Sequence, residues 1–310
     1  MPAVRIANSI AWILLLALGA TGSLTARAQE LNPRAYWPAP VGTTVVAAGF
    51  QHSQGAFLFD PSLQIEGANS NFDAVQAAVY HTFSLFGRSA NAQLAVPISW
   101  GTTDGFLAGE YRRRDMSGLT DLRARVSINL SGAPAMNREE FRQLLANPRT
   151  IVGASLAVSV PTGSYDEDRL LNIGTNRWGF KPAVGVIQPL GKGWLLEMEI
   201  GGWFFTVNDS FLGTTRAQAP LFSSELHIVK LLGNRLWLAF DANFYTGGRS
   251  KVGGALAFDL QRNSRMGATA TYALGAQRRH AVRASFGTGV LTTRGGDFDS
   301  IGLAYLYVLR

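Results

Sequence analysis

Cysteine is absent from the 310 residues, which excludes disulfides, thiol catalysis and cysteine metal sites. Histidine occurs four times, with no H-E-x-x-H pair, and no glycine-rich phosphate loop or nucleotide signature is present. Long apolar runs are scarce as well. The one candidate membrane helix is N-terminal, and its core from Ile10 to Leu18 is too short to cross a bilayer. Charged residues make up 16% and mean hydropathy is +0.08. That balance is too polar for a helical membrane protein and too apolar for a disordered chain.

The N-terminal segment reads as an export signal over residues 1–28. Arg5 precedes the apolar core, and Ala26-Arg27-Ala28 provides the small-residue site, with cleavage before Gln29. The formal charge is +7, and losing Arg5 and Arg27 leaves +5. Such a modest excess suits an acidic surface such as lipid phosphate.

The mature chain, 29–310, is dominated by alternation. In "TDLRARVSINL", Leu122, Ala124, Val126, Ile128 and Leu130 share one face, with Asp121, Arg123, Arg125, Ser127 and Asn129 opposite. The pattern returns at Ala90–Ile98 and Val152–Val160. It returns again around Glu197 and Glu199, Glu225 and His227, Asp241 and Asn243, Arg265, and Arg283. Weaker strands are expected near Val41–Gln51, Asp73–Ser84 and Trp178–Pro189, and a last strand over Ser300–Leu309. The sum is about twelve strands, mostly of the roughly 9–11 residues that a tilted membrane strand needs.

The connections alternate in length. "LFGR", "LGKG", "LLGN" and "LGAQRR" are short turns. Gly101–Ser117, Thr162–Asn176, Asn208–Ala219, Gly247–Asn263 and Thr292–Asp299 read as long polar loops. Short turns at one end and long loops at the other are the habit of outer-membrane barrels. One short-side connection departs from it. Between about 135 and 147 a helix is expected, with Asn137 as N-cap, Glu139 and Glu140 in its first turn, and Phe141, Leu144 and Leu145 on one face. It reads as a turn replacement packed under the barrel, with a periplasmic plug or partner contact as the sharper alternative.

The expected fold is therefore an all-β transmembrane antiparallel up-and-down barrel. Lipid demands that every backbone polar group be paired within the protein, so the sheet closes. Apolar faces then meet lipid and charged faces line the lumen. Asp121, Arg123, Arg125, Glu197, Glu199, Glu225, His227, Asp241, Arg265 and Arg283 form either a selectivity lining or a salt-bridged filling. Trp100, Trp178, Phe180, Phe204, Phe222 and Phe244 gather near the loop side. Phe83, Trp194, Tyr305 and Tyr307 gather near the turn side. The last strand, "SIGLAYLYVLR", with Gly302, Tyr305 and Tyr307, is similar to the signal read by barrel-insertion machinery, and it runs three residues past the last aromatic.

Enzymatic readings are weaker. A barrel lipid hydrolase would use a Ser/His pair, for which His227 with Ser223 or His52 with Ser53 are candidates. No G-x-S-x-G elbow is present. "YDEDR", holding Asp166, Glu167 and Asp168, lacks calcium-loop spacing. "YRRRD", holding Arg112, Arg113 and Arg114, suits lipopolysaccharide phosphates better than nucleic acid on an exported chain.

"NIGTNRWGFKPAVGV", "FFTVNDSFLG", "FYTGGRS" and "GGDFDSIGLAY", with "GLTDLRARVSINLSGAPA" upstream, make the chain resemble the bacterial outer-membrane "transporter" family labelled for the MetA pathway of phenol degradation. The resemblance covers most of the mature chain and is weakest before Gly118. It implies an outer-membrane barrel and uptake of aromatic compounds, and it supplies no catalytic residue. The expectation is a non-enzymatic, cofactor-free channel for small, aromatic or hydrophobic solutes. Its surroundings would be outer-membrane lipid and lipopolysaccharide, with no nucleic-acid partner. A lipid hydrolase, a structural barrel with a filled lumen and a soluble periplasmic β-protein stand as alternatives.

Overall fold

The alternating segments form strands of one antiparallel sheet in the computed structural model, which describes residues 31–59 and 61–309. The cleavage-site residues Ala26, Ala28 and Gln29 lie outside the described residues. In chain order the strands are β1 (Thr44–Leu58), β2 (Ile65–Leu85), β3 (Arg88–Leu107), β4 (Glu110–Leu119) and β5 (Leu122–Ser131). Helix α1 (Arg138–Ala146) follows, then β6 (Ile151–Val160), β7 (Gly179–Gly191) and β8 (Trp194–Phe205). Two short strands, β9 (Asn208–Phe211) and β10 (Thr214–Gln218), precede β11 (Leu221–Leu232) and β12 (Leu236–Gly247). Next come the short β13 (Ser250–Val252) and β14 (Ala255–Leu256). The chain ends with β15 (Gln261–Leu274), β16 (His280–Leu291) and β17 (Gly295–Leu309).

Each long strand pairs with its neighbour, and β1 pairs with β17 from Thr44↔Leu309 to Leu58↔Gly295. That last pairing closes the sheet. β4 and β5 serve as one wall strand, broken at Thr120 and Asp121, and β3 pairs with both. The result is a twelve-stranded transmembrane barrel. Its outer face carries exposed Leu94, Val96, Ile98, Val126, Leu226, Ile228, Phe240 and Leu303, side chains that only a hydrocarbon surround would favour at this density. Trp100, Trp178, Phe204, Phe222 and Phe244 mark one rim of that band, and Trp194, Tyr272 and Tyr305 the other.

Several segments differ from the sequence-based expectation. β1 and β2 are longer than Val41–Gln51 and Asp73–Ser84 suggested. Gly101–Ser117 is a hairpin rather than a loop, turning at Ala108-Gly109 with φ of 51° and 81°. Two consecutive positive φ values make the turn whose twist suits flanking strands. The polar character of this stretch hid its period because neither face of the hairpin enters lipid. The loops 208–219 and 247–263 likewise carry β9, β10, β13 and β14, a four-stranded sheet beyond the barrel.

α1 forms where the short-side connection lengthens. Asn137 accepts from the Glu139 and Glu140 main-chain amides, while the Glu140 carboxylate accepts from the Asn137 amide at 2.8 Å. This reciprocal cap fixes the start of the helix. Phe141 and Leu144 are buried in a cluster with Trp37, Met136, Ile151, Ile187, Leu195, Val229 and Trp237. The helix packs under the turn-side mouth of the barrel.

Candidate functional site: the lumen and its N-terminal segment

Chain before β1 fills the lumen. From Thr44 at the turn-side rim, residues 43 to 31 run back into the barrel. The Gly42 amide bonds the Thr82 carbonyl at 2.8 Å, and the Val41 amide bonds the Met136 carbonyl at 2.9 Å. Trp37 is 2% exposed and Tyr36 4%. A Cβ on Gly153 or Gly185 would lie 2.3 or 2.2 Å from the Tyr36 ring. These two glycines pair directly across β6 and β7, and their missing side chains leave the seat that the ring occupies. Farther along, Leu31 meets the paired Gly267 and Gly287 of β15 and β16 in the same way.

One half of the wall is charged. Lys181 on β7 reaches Glu199 of β8 at 2.8 Å and Glu225 of β11 at 2.7 Å. Arg125 on β5 reaches Glu199 at 2.6 Å. His227 Nδ1 lies 2.7 Å from Asp241, and its Nε2 lies 3.7 Å from Glu225. The Thr269 hydroxyl donates to Asp241 at 2.8 Å. These groups are almost wholly withdrawn from solvent, so their attraction persists only because the pairs satisfy one another. The N-terminal segment joins the network. The Tyr36 hydroxyl donates to Glu199 at 2.7 Å and meets the Ser155 hydroxyl at 2.9 Å. The Arg34 main-chain amide donates to Glu197 at 2.5 Å.

The opposite half, on β1, β2, β16 and β17, is mostly neutral. Gly49, Gln51, Gln76, Ser285 and Gly302 face the lumen beside Arg283. Together with Phe50, Ala74, Leu303 and Ala304 these residues line a cavity of about 10 Å³, room for a single water.

Of the residues singled out from sequence, Glu197, Glu199, Glu225, His227, Asp241, Arg265 and Arg283 are buried inside the barrel wall, and Arg125 is mostly buried there. Arg123 shares the inner face of β5. Asp121 sits at the β4–β5 break, where it accepts from the Gly163 amide at 3.0 Å and the Thr175 hydroxyl at 2.6 Å. It therefore ties a loop-side connection to the rim. His227 is flanked by carboxylates, and His52 points outward, paired with Asp73 at 2.8 Å. Neither histidine is bonded to a serine hydroxyl in the geometry just given. Tyr305 is exposed and Gly302 faces inward. The Tyr307 ring lies tilted against His280 with ring centroids 4.9 Å apart. Among the described residues no cluster has the make-up of a metal centre.

Sequence reasoning passed over Arg34, Tyr36 and Trp37. The signal that marks them is "NPRAYWPAP", an aromatic, proline-rich stretch directly after the predicted cleavage point, where a loose leader has no need of tryptophan.

The model of the family described as "Putative MetA-pathway of phenol degradation" matches residues 47–304. An outer membrane channel from Pseudomonas putida F1 is similar in structure, with a TM-score of 0.75, 21% identity and coverage of 90% of this chain and all of that one. The transport unit of the Escherichia coli autotransporter AIDA-I aligns with a TM-score of 0.51 and 10% identity, covering 98% of this chain and 97% of that one. At these identities the likeness speaks for the fold alone. No curated protein sequence matches.

Proposed function

The chain belongs to the family described for the MetA pathway of phenol degradation, and from that premise we propose that it is an outer-membrane channel for passive uptake of small, aromatic or hydrophobic solutes. The observation that carries this reading is what blocks the lumen. The barrel is closed by a strand-free segment of its own N-terminal chain, seated on glycine cradles and polar contacts, rather than by wall side chains that meet across it. A blockage of that kind can leave without dismantling the wall. Flow down a gradient needs no energy coupling, which fits the missing nucleotide motifs.

The surroundings follow from the same reading. Lipopolysaccharide would meet the loop-side rim, where Arg113 faces outward beside Asp115 at 3.1 Å, and insertion machinery would read the closing strand β17. One observation favours a second reading: the burial of Arg34, Tyr36 and Trp37 suits a structural barrel with a filled lumen.

Single-channel recording of the refolded chain in a planar bilayer separates the two. Discrete conductance steps that a small aromatic solute blocks are the expected result. Silence from a barrel with native heat-modifiable migration would overturn the channel reading and leave the filled barrel.

A further inference from the structure

We propose that Arg34, Trp37 and Trp237 form a binding site in the lumen for the carboxylate of a small aromatic acid. This names a substrate class for the channel and rests on that reading.

The Arg34 guanidinium is the least provided-for charge in the described structure. The residue is 2% exposed, and among the described residues its Nε, Nη1 and Nη2 have no hydrogen-bond partner. Its central carbon lies 4.4 Å from the Trp37 ring centroid and 5.7 Å from that of Trp237. Ring faces attract a cation, but the in-plane N–H groups still need acceptors. The indole Nε1 atoms of Trp37 and Trp237 are also buried donors without an acceptor. Buried polar groups of this sort call for an occupant that satisfies them.

The backbone holds the group there. Arg34 follows Pro33 in a turn and has a φ of 69°, a conformation that glycine or asparagine usually supplies. The Trp37 amide closes the turn on the Arg34 carbonyl at 3.2 Å. The Arg34 amide is spent on Glu197, so the nearby carboxylate is held on the main-chain side. One oxygen of Glu197 has no partner either, and it offsets one positive charge. A second guanidinium, that of Arg283, lies 5.2 Å from the Trp237 centroid. Asp241 is engaged by His227 and Thr269. Two guanidinium groups thus flank the indole pair, that of Arg34 in the field of Glu197 and that of Arg283 in the field of Asp241.

A forked donor matches a carboxylate with two parallel hydrogen bonds. Two indoles offer flat apolar faces for the ring that carries it. Benzoate combines both features, whereas benzyl alcohol has the ring alone and chloride the charge alone. Arg34 and Trp37 are each 2% exposed and Trp237 is fully buried, so benzoate enters only as Leu31–Tyr36 shift. Through Arg34, cargo recognition and unblocking then involve the same six residues.

The test is calorimetric titration of the folded, full mature chain in detergent with sodium benzoate, benzyl alcohol and sodium chloride at constant ionic strength. Benzoate is expected to bind with one site per barrel, at least tenfold tighter than benzyl alcohol, and chloride at equal concentration is not expected to displace it. Arg34→Ala should weaken benzoate at least tenfold. Arg34→Lys, which keeps the charge and loses the fork, should recover only part of that loss, and it serves as the variant if Arg34→Ala does not fold. Equal affinity for benzoate and benzyl alcohol would overturn the proposal. So would displacement by chloride, or benzoate binding unchanged in both variants. Conductance without benzoate binding removes this site and leaves the channel; benzoate binding by a silent barrel does the reverse.

Discussion

Gly185→Val is the change with the clearest consequence for the lumen. Its Cβ alone would lie 2.2 Å from the Tyr36 ring. Ordinary contact needs about 3.5–4.0 Å, so the ring must leave its seat. Valine suits a strand, so β7 itself has no reason to break. When Tyr36 moves, its hydroxyl loses Glu199 and Ser155. A hydrogen bond to a charged group contributes about 2 kcal/mol and a neutral one about 1 kcal/mol, for a shift of about 3 kcal/mol against the closed arrangement. That corresponds to roughly a hundredfold rise in the open-to-closed ratio. Glu199 keeps Arg125 and Lys181, which leaves the wall network intact. Planar-bilayer recording reads the effect as open probability, and Gly153→Val should reproduce it from the neighbouring strand. A folded Gly185→Val barrel with native open probability would refute the idea that residues 31–43 control the lumen.

Other expectations concern the wall and the floor. Lys181→Met leaves Glu199 and Glu225, which pair directly across β8 and β11, as facing buried carboxylates. Removing one partner of such a set costs about 3–5 kcal/mol. Urea unfolding in detergent should show a lower midpoint, partly restored in Lys181→Met/Glu225→Gln, and an unchanged midpoint would mean that the pairs are not coupled. Asn137→Ala removes the side-chain half of the reciprocal cap and leaves the Glu140 carboxylate on the residue 137 amide, a loss of about 1 kcal/mol. Hydrogen exchange should quicken over Arg138–Ala146 alone, and acceleration throughout the barrel would contradict a local role. Gly49→Leu adds a side chain to the small-residue wall, where its Cβ meets Ala304 and Gln76 at ordinary contact distance. In a Gly185→Val background it should lower conductance again, and no reduction would place the open path elsewhere.

Period 2 made the barrel legible, since a strand with lipid on one side and water or charge on the other must alternate. It was readable at Leu122–Leu130 and at Glu197–Glu199 for that reason. The β3–β4 hairpin was not, because Thr102, Asp104, Arg113 and Asp115 occupy an outward face that leaves the bilayer and both faces become polar. The cap at Asn137 was legible because a capping box is a local signal. Residues 31–43 were not. Their structure depends on Gly153, Gly185, Gly267 and Gly287, more than a hundred residues away, and a glycine in a strand gives no hint of which ring fills its place.

The closing segment has two unlike halves, and that difference decides how it can open. Trp37 packs with Met136, Phe141, Leu144 and Trp237. An aromatic side chain of this kind buries about 150–250 Å², and at about 25 cal/mol per Å² that contributes roughly 4–6 kcal/mol. Residues 31–36 are held differently. The Tyr36 ring shares the apolar cluster, but its hydroxyl and the Arg34 amide are fixed by hydrogen bonds to Glu199, Ser155 and Glu197, and water can replace these at modest net cost. Peeling Leu31–Tyr36 from the wall is therefore cheaper than withdrawing the whole segment past α1. Pro38 and Pro40 restrict the backbone directly after Trp37, which favours a pivot ahead of them. The apolar latch of Trp37 on α1 then stays in place through each opening, and the polar half returns to a wall whose charges are still paired with one another.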